Sequence, residues 1–560
     1  MALTLDRAQT HPQSRRSQLS QLSLASALAQ PDARWLLAAA AVVVLLCALP
    51  YVVSAMFGPP QMDHLGTFWF VRDFSQYQAA MREGAAQAGW LIHDHFSAEP
   101  HQAAFIYPLY TAAGKVASAL HVDALAVFSA LEWLGRVALL VALFVFTATF
   151  LEDRRARRLA LVLAAGSLGL IGLVAPLRAV LAVLGFGAAA DALPSTINVY
   201  LELSSFGVFL SAPHLMFGLA LTLLCAPLYL ARRPVWLALV VFALSLLHPF
   251  NLPVLVSVLV VHAACSGRRW WALAVVAVAA SAPILVYNLW LFTTDPFWSG
   301  TYGTQNLMPA PAPWALPVDL GVVLLAAPLA WPVLRTWSAD RRRLLLLWVG
   351  LALAWLYVPV PYQRRFALGI QPALAVAAAV GLLALNDRLR SRTVNHRGPL
   401  LALRARLLSY MVALATAATP VLVYMALIGS AVSNFPAEVY LWTRPETEAA
   451  AWLRDHSTAA DVVLASTEFA NPLVGAIDGR VVHGHIVATL HSSEKQALVR
   501  RFFAPDVGVA ERSELLVRSG ATLVAFGPHE RMLGSSELQR QPELELMYDR
   551  GGVEVFRVRR

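Results

Sequence analysis

Charge is scarce in this chain, and the scarcity decides its class. Of 560 residues only 14% are Asp, Glu, Lys or Arg while 58% are apolar, and the mean hydropathy is +0.59, a balance that excludes a soluble globular protein. Lysine is nearly absent, with Lys115 and Lys495 the two present, so arginine carries the positive charge. Cysteine is as sparse: Cys47, Cys225 and Cys265 sit in apolar segments without metal-ligand spacing, which excludes a disulfide framework. There is no glycine-rich nucleotide loop, no repeat of roughly 20 to 50 residues, and no pair of matching halves of the kind many transporters carry.

Long apolar runs are abundant. A spanning helix needs about 20 apolar residues, and residues 35–57, 125–150, 270–292 and 407–429 meet that length. The first run follows a polar stretch and has no small-residue cleavage signature after it, so it reads as an anchor behind a cytoplasmic tail, residues 1–34. Arginines cluster at every second junction: Arg154, Arg155, Arg157 and Arg158; Arg232 and Arg233; Arg268 and Arg269; Arg335 with Arg341 to Arg343; and Arg388 through Arg406. On the other side, before residue 430, stand Arg72, Arg82, Lys115, Arg178, Arg364 and Arg365. Cytoplasmic loops retain basic residues, so the alternation predicts about eleven spans over residues 35–430, with the N-terminus inside and the C-terminus outside. Topology thus accounts for much of the net charge of +9, and a nucleic-acid partner is not needed.

Residues 435–560 differ in kind. Short β-type runs at 462–465, 521–526 and 553–558 alternate with helical stretches at 446–454 and 492–503, predicting a small extracytoplasmic α/β domain. Thr443 to Glu446 has the look of a helix start with an acidic first turn.

The first outer loop, residues 58–122, is polar and acidic, with Asp63, Asp73, Asp94 and Glu99. Within it, residues 68–84 read as a short amphipathic helix on which Asp73 and Tyr77, four apart, share a face. A carboxylate there is placed to take a proton from an attacking hydroxyl; a helix cap or a pair with Arg72 is the plainer alternative. His93-Asp94-His95 and Val482-His483-Gly484-His485 invite a metal reading, but neither has ordinary ligand spacing, and nothing in the sequence requires a cofactor or a divalent metal.

Arg72-Asp73-Phe74-Ser75-Gln76-Tyr77 in an acidic first outer loop, after an opening helix and followed by Phe105-Ile106-Tyr107-Pro108-Leu109-Tyr110 before Gly114, resembles the GT-C glycosyltransferases. The likeness is to bacterial members related to dolichyl-phosphate-mannose mannosyltransferases and arabinosyltransferases, and it extends over the whole architecture. It implies a polytopic, inverting-type enzyme whose donor is a sugar on a polyprenyl phosphate, and whose first-loop Asp acts as base or positions the acceptor. Asp73 best matches that position. The family's paired acids are not adjacent here, so the second acid is open between Asp63 and Glu202. The implied partners are the lipid-linked donor, a glycan, lipid or protein acceptor, and membrane lipids.

Other polar residues near the expected outer face are candidates for substrate binding. Glu202 and His214 flank one loop, and His248 opens the Pro-bounded break His248-Pro249-Phe250-Asn251-Leu252-Pro253, which is expected to turn at membrane depth and line a cavity. Arg364 and Arg365 lie where arginine is otherwise scarce, and a guanidinium suits a lipid phosphate, whether of the donor or of ordinary headgroups. Trp69, Trp90, Trp298, Tyr302 and Trp314 are aromatic candidates for sugar stacking or an interfacial belt. Glu132 and Arg136, four apart within a span, read as a structural pair. The competing functions are a transporter or flippase of a lipid-linked solute, which predicts mid-membrane charges, and a noncatalytic assembly protein.

Overall fold

A computed structural model describes residues 30–68, 71–193, 200–396, 399–433, 441–534, 538 and 541–559. The tail before residue 30, Trp69 and the connection at 434–440 lie outside the described residues. Among the described residues seven helices are long and apolar enough to cross a membrane, and up to nine segments qualify if each bent pair is one span. The expected figure of about eleven requires two more, the short Pro234–Leu247 and the helix Ala339–Leu356, whose first turns carry Asp340 and Arg341 to Arg343.

The bent pairs explain each other. Arg154–Gly166 and Ile171–Val183 meet at 57°, Pro313–Leu320 and Val322–Leu334 at 99°. Their breaks touch: Gly169 (φ 70°) would place a Cβ 2.5 Å from the Val318 carbonyl oxygen, and the Leu170 N–H donates to that oxygen at 2.7 Å. The Thr419 hydroxyl donates to the Gly169 carbonyl and accepts from the Gly172 N–H. Irregular backbone at membrane depth persists where neighbouring protein satisfies its polar groups in this way.

The junctions fall into two sets. Asp32, at the start of α1 (Gln30–Phe57), accepts from Arg157 at 2.9 Å and Arg158 at 3.4 Å; Arg341 bonds the Thr149 carbonyl and Glu152; Arg269 pairs with Asp340. The arginine-rich junctions therefore gather at one end of the bundle. At the other end stand the loop of residues 58–122, expected from the sequence to be the first outer loop, the segment around residues 295–306 and the C-terminal region, joined by Tyr302 to Asp94 and by Gln305 to the Val487 and Thr489 carbonyls.

The C-terminal region is built on β3 (Val462–Leu464), β4 (Arg480–Val481), β5 (Leu523–Phe526), β6 (Leu544–Arg550) and β7 (Val553–Val558), in spatial order β4-β3-β5-β7-β6. The β3, β4 and β5 strands run parallel, and β7 pairs antiparallel with both β5 and β6. Thr443 and Glu446 form a capping box at the start of the helix Arg444–His456, satisfying two backbone donors that the first turn leaves free. Two further strands, β1 (Met62–His64) and β2 (Leu441–Thr443), pair antiparallel and tie the outer loop to this region. Ala79 and Phe96 of the loop are buried in the same core as Val463, Phe469 and Val555, so loop and sheet share one interior. The loop also covers the β4 edge: the Val481 N–H donates to the His95 carbonyl at 3.0 Å, and Ser97 bridges to His483.

Candidate functional site

The helix α2 (Val71–Ala86) carries Asp73 on an amphipathic surface: Phe74, Tyr77 and Met81 pack inward at helical spacing. It lies against α3 (Pro108–Leu120) through two glycines that permit backbone contact, since a Cβ on Gly114 would fall 1.8 Å from the Met81 oxygen and one on Gly84 2.4 Å from the Thr111 oxygen. Tyr77 stacks on Tyr110 with centroids 4.2 Å apart, and α3 starts from Tyr107 in the left-handed region (φ 52°), a conformation costly for a bulky residue and common near functional sites. The Tyr107 hydroxyl donates to Gln76 Oε1 at 3.2 Å.

Between this hairpin and the membrane helices opens a cavity of about 1330 Å³. Its wall includes Asp73, Tyr77, Glu202, His214, His248, Arg364 and Arg365, so the structure brings these sequence candidates together. The break at His248 does line the cavity, as does Tyr302. His248 packs this closely because Gly218 faces it: a Cβ there would meet the His248 Cβ at 2.6 Å. His214 Nδ1 lies 2.8 Å from the Tyr110 hydroxyl. Toward the helices the wall turns apolar, with Leu285, Leu289, Leu422, Val423 and Leu427.

The two arginines differ. Arg364 is closed on Glu202 (3.0 Å) and sits over the Tyr200 ring at 4.7 Å, so Glu202 serves here as an ion-pair partner. Arg365 lies over the Phe250 ring at 4.8 Å, and its Nη2 donates to Asn306 at 3.5 Å. Its buried Nε has no hydrogen-bond partner, and among the described residues no carboxylate lies within ion-pair distance of it.

Among the described residues Asp73 makes no ion pair with Arg72 and bonds instead to His485. Its Oδ1 accepts from His485 Nε2 at 3.0 Å, and 35% of its side chain remains accessible on the cavity wall. Burial pushes the carboxyl up, but the hydrogen bond from His485 and the nearby Arg365 guanidinium outweigh it, leaving Asp73 below the usual carboxylate range. Asp94 is the opposite case. It is buried, accepts the Phe96 N–H at 2.7 Å and the Tyr302 hydroxyl at 3.3 Å, and burial raises it to about 7. It stands behind Tyr302, away from solvent.

Asp63 lies apart from the cavity, in β1 opposite Trp442. The structure does not bring this expected acid to the others; it is part of the ribbon between loop and sheet. Glu132 and Arg136 are buried 3.5 Å apart, with Arg136 also donating to the Phe209 carbonyl at 3.1 Å. In the His93-Asp94-His95 triplet, His93 bonds Glu83, His95 bonds the Gly479 carbonyl and Asp94 bonds Tyr302, so the three side chains diverge. Among the described residues no group of three or more His, Cys, Asp and Glu is arranged to hold a metal ion.

Sequence reasoning passed over His485. Its pairing with Asp73 spans more than four hundred residues, and no local spacing signals such a contact.

No protein-family model matches the sequence, and no curated protein matches it. Among solved structures, the arabinofuranosyltransferase AftD from Mycobacteria superposes with a TM-score of 0.53 at 16% identity, over 94% of this chain and 40% of that one. The chain has a GT-C fold. It spans well under half the length of AftD. Weaker likenesses are to the Archaeoglobus fulgidus oligosaccharyltransferase tethered with an acceptor peptide (TM-score 0.49, 12% identity, 92% of this chain and 74% of that one) and to ArnT from Cupriavidus metallidurans bound to undecaprenyl phosphate (0.46, 14%, 92% and 98%). The fold is read from AftD alone.

Proposed function

We propose that the protein is a membrane glycosyltransferase that moves a hexose or pentose from a polyprenyl-phosphate donor to an acceptor hydroxyl or amide on the extracytoplasmic side. The observation that carries this reading is one cavity holding a carboxylate, Asp73, and a guanidinium, Arg365, that has no carboxylate partner among the described residues, with an apolar wall toward the membrane. In that arrangement the Asp73 carboxylate accepts the acceptor's proton as its oxygen or nitrogen attacks the anomeric carbon. The sugar–phosphate bond breaks, and Arg365 neutralises the charge building on the departing phosphate. Leu422, Val423 and Leu427 offer the lipid tail an apolar path. The sugar-transferring AftD shares the fold, which supports the same chemistry class.

The test is to incubate the purified protein with a panel of undecaprenyl- and decaprenyl-phosphate hexoses and pentoses and to measure released polyprenyl phosphate. No release from any donor, with or without added acceptors, would refute the assignment. Sidedness rests on the arginine asymmetry. A cysteine placed at the exposed Met532, in a Cys265→Ser background, should react with an impermeant maleimide in intact cells.

A further inference from the structure

His485 is constrained by its own backbone. Its Nδ1 is the acceptor for two N–H groups, those of Val487 at 3.1 Å and Ala488 at 3.2 Å. Two donors aimed at one imidazole nitrogen require its lone pair, so the proton resides on Nε2, the atom 3.0 Å from Asp73 Oδ1. A second proton on Nδ1 would confront both N–H groups.

The loop that holds this geometry is fastened at both ends. The Thr489 hydroxyl accepts the N–H groups of Gly484 and His485 and donates to the Phe96 carbonyl at 2.7 Å. Asn471 Nδ2 donates to the carbonyl of Arg72 (3.0 Å) and to that of Gly484 (2.9 Å), the residues immediately before Asp73 and His485. Gly484 is required there, because a Cβ would lie 2.6 Å from the Phe96 ring.

We propose that His485, supplied by the C-terminal sheet region, is a positioning residue for Asp73: a neutral imidazole locked as an Nε2–H donor that orients the carboxylate and keeps it ionised, leaving Oδ2 for the acceptor. The inference rests on the reading of Asp73 as base, and it makes the C-terminal region a part of the reacting site. The other ionisable groups around the pair are Arg365 and His214 from the membrane side, Arg72 beside Asp73, His483 two residues before His485, Asp94, and the phenols of Tyr77, Tyr107, Tyr110 and Tyr302.

Two readouts test it on the full-length protein in nanodiscs. In the first, ¹⁵N-histidine spectra at the pH of the activity assay, with the His485 signal assigned by its loss in His485→Gln, should show His485 as the Nε2–H tautomer and should shift in Asp73→Asn. An imidazolium or an Nδ1–H tautomer there, or a signal indifferent to Asp73→Asn, overturns the proposal. In the second, polyprenyl phosphate release is followed against pH in an Asp94→Asn background, which removes the neighbouring acid. His485→Ala should lower kcat by about 10²-fold and move the acid limb to higher pH, while His485→Gln, with an N–H near the Nε2 position, should restore most of both at an unchanged melting temperature. An unshifted acid limb, or Gln and Ala variants that behave alike, overturns the proposal. If the parent protein releases nothing from any donor, the transferase reading fails on that result, and the histidine spectra alone decide the locked tautomer and its contact with Asp73.

Discussion

The two ends of the helical bundle handle charge in opposite ways. At the arginine-rich end, acids are closed on guanidinium groups: Asp32 on Arg157 and Arg158, Glu152 on Arg341, Asp340 on Arg269. Single buried nitrogens lack a partner at both ends, Arg157 Nε at the first and Arg365 Nε at the second, but at the cavity end whole groups are left without an opposite charge. Arg365 has no carboxylate among the described residues, His248 Nε2 is buried without a partner, and Asp73 uses one oxygen on His485. Pairing satisfies a fold, whereas leftover capacity costs stability and makes sense where a ligand completes it. The contrast predicts that substitutions at the first end change stability and those at the second change binding and turnover.

The largest effect belongs to Asp73→Asn, which removes the base but keeps the side chain's size. Turnover should fall roughly 10² to 10⁴-fold with donor affinity retained, measured as polyprenyl phosphate release alongside donor binding. The pH dependence follows from the depressed carboxyl. With its folded value below the ordinary carboxylate range, Asp73 stays charged through that range, and the stability it lends is present above the unfolded value and lost as pH falls through the folded one. The acid limb of activity should therefore lie below the usual carboxylate range. A limb near neutral pH that persists in Asp94→Asn would contradict this.

Arg365→Ala comes next. Losing hydrogen bonds to a charged phosphate should weaken donor binding by about 1.5 to 3 kcal/mol without unfolding the protein in detergent. Arg364→Ala should also weaken it, but by stranding Glu202 in the cavity, so adding Glu202→Gln should restore affinity in that variant and not in Arg365→Ala. Equal rescue of both would erase the distinction between the two arginines.

How much of this was legible in the sequence follows the range of the interactions. The long apolar runs, the capping box and the Asp73–Tyr77 face are local, set by composition and by a period of three to four residues, and they are legible in the chain, whereas the expected figure of about eleven spans exceeds the seven to nine that length and composition support among the described residues. The gathering of Asp73, His214, His248 and Arg365 was approached through topology, because all were expected at one membrane face. The β1–β2 ribbon, which holds Asp63 away from the cavity, and the His485 contact join residues hundreds of positions apart, and only the folded chain brings them together. The setting of Asp94 is equally non-local, since the polar loop that carries it is covered by the C-terminal sheet and Tyr302.

At the paired end, Asp32→Asn should lower the melting temperature by the equivalent of about 1.5 to 3 kcal/mol, because Asp32 is 4% exposed and takes charged hydrogen bonds from two arginines, while kcat per folded molecule stays at the parent level. A turnover defect comparable to that of Asp73→Asn would show that the two ends are coupled and would break the comparison.

The smallest effect is expected of Arg269→Ala. Arg269 pairs with Asp340, yet 55% of its side chain is exposed, so water and salt screen the attraction, and an ion pair of this kind contributes about 0 to 1 kcal/mol. Its guanidinium also lies 5.5 Å from the Trp270 ring, a contact of similar modest size at an exposed site. Melting temperature and donor affinity should both stay near the parent values, and raising the salt concentration should narrow whatever difference remains. Arg269 and Arg365 are the same residue type at opposite ends of the bundle, one with a carboxylate partner and one without. If Arg269→Ala weakened donor binding as much as Arg365→Ala, general positive charge would explain the affinity, and the bonding capacity left open in the cavity would have no special role.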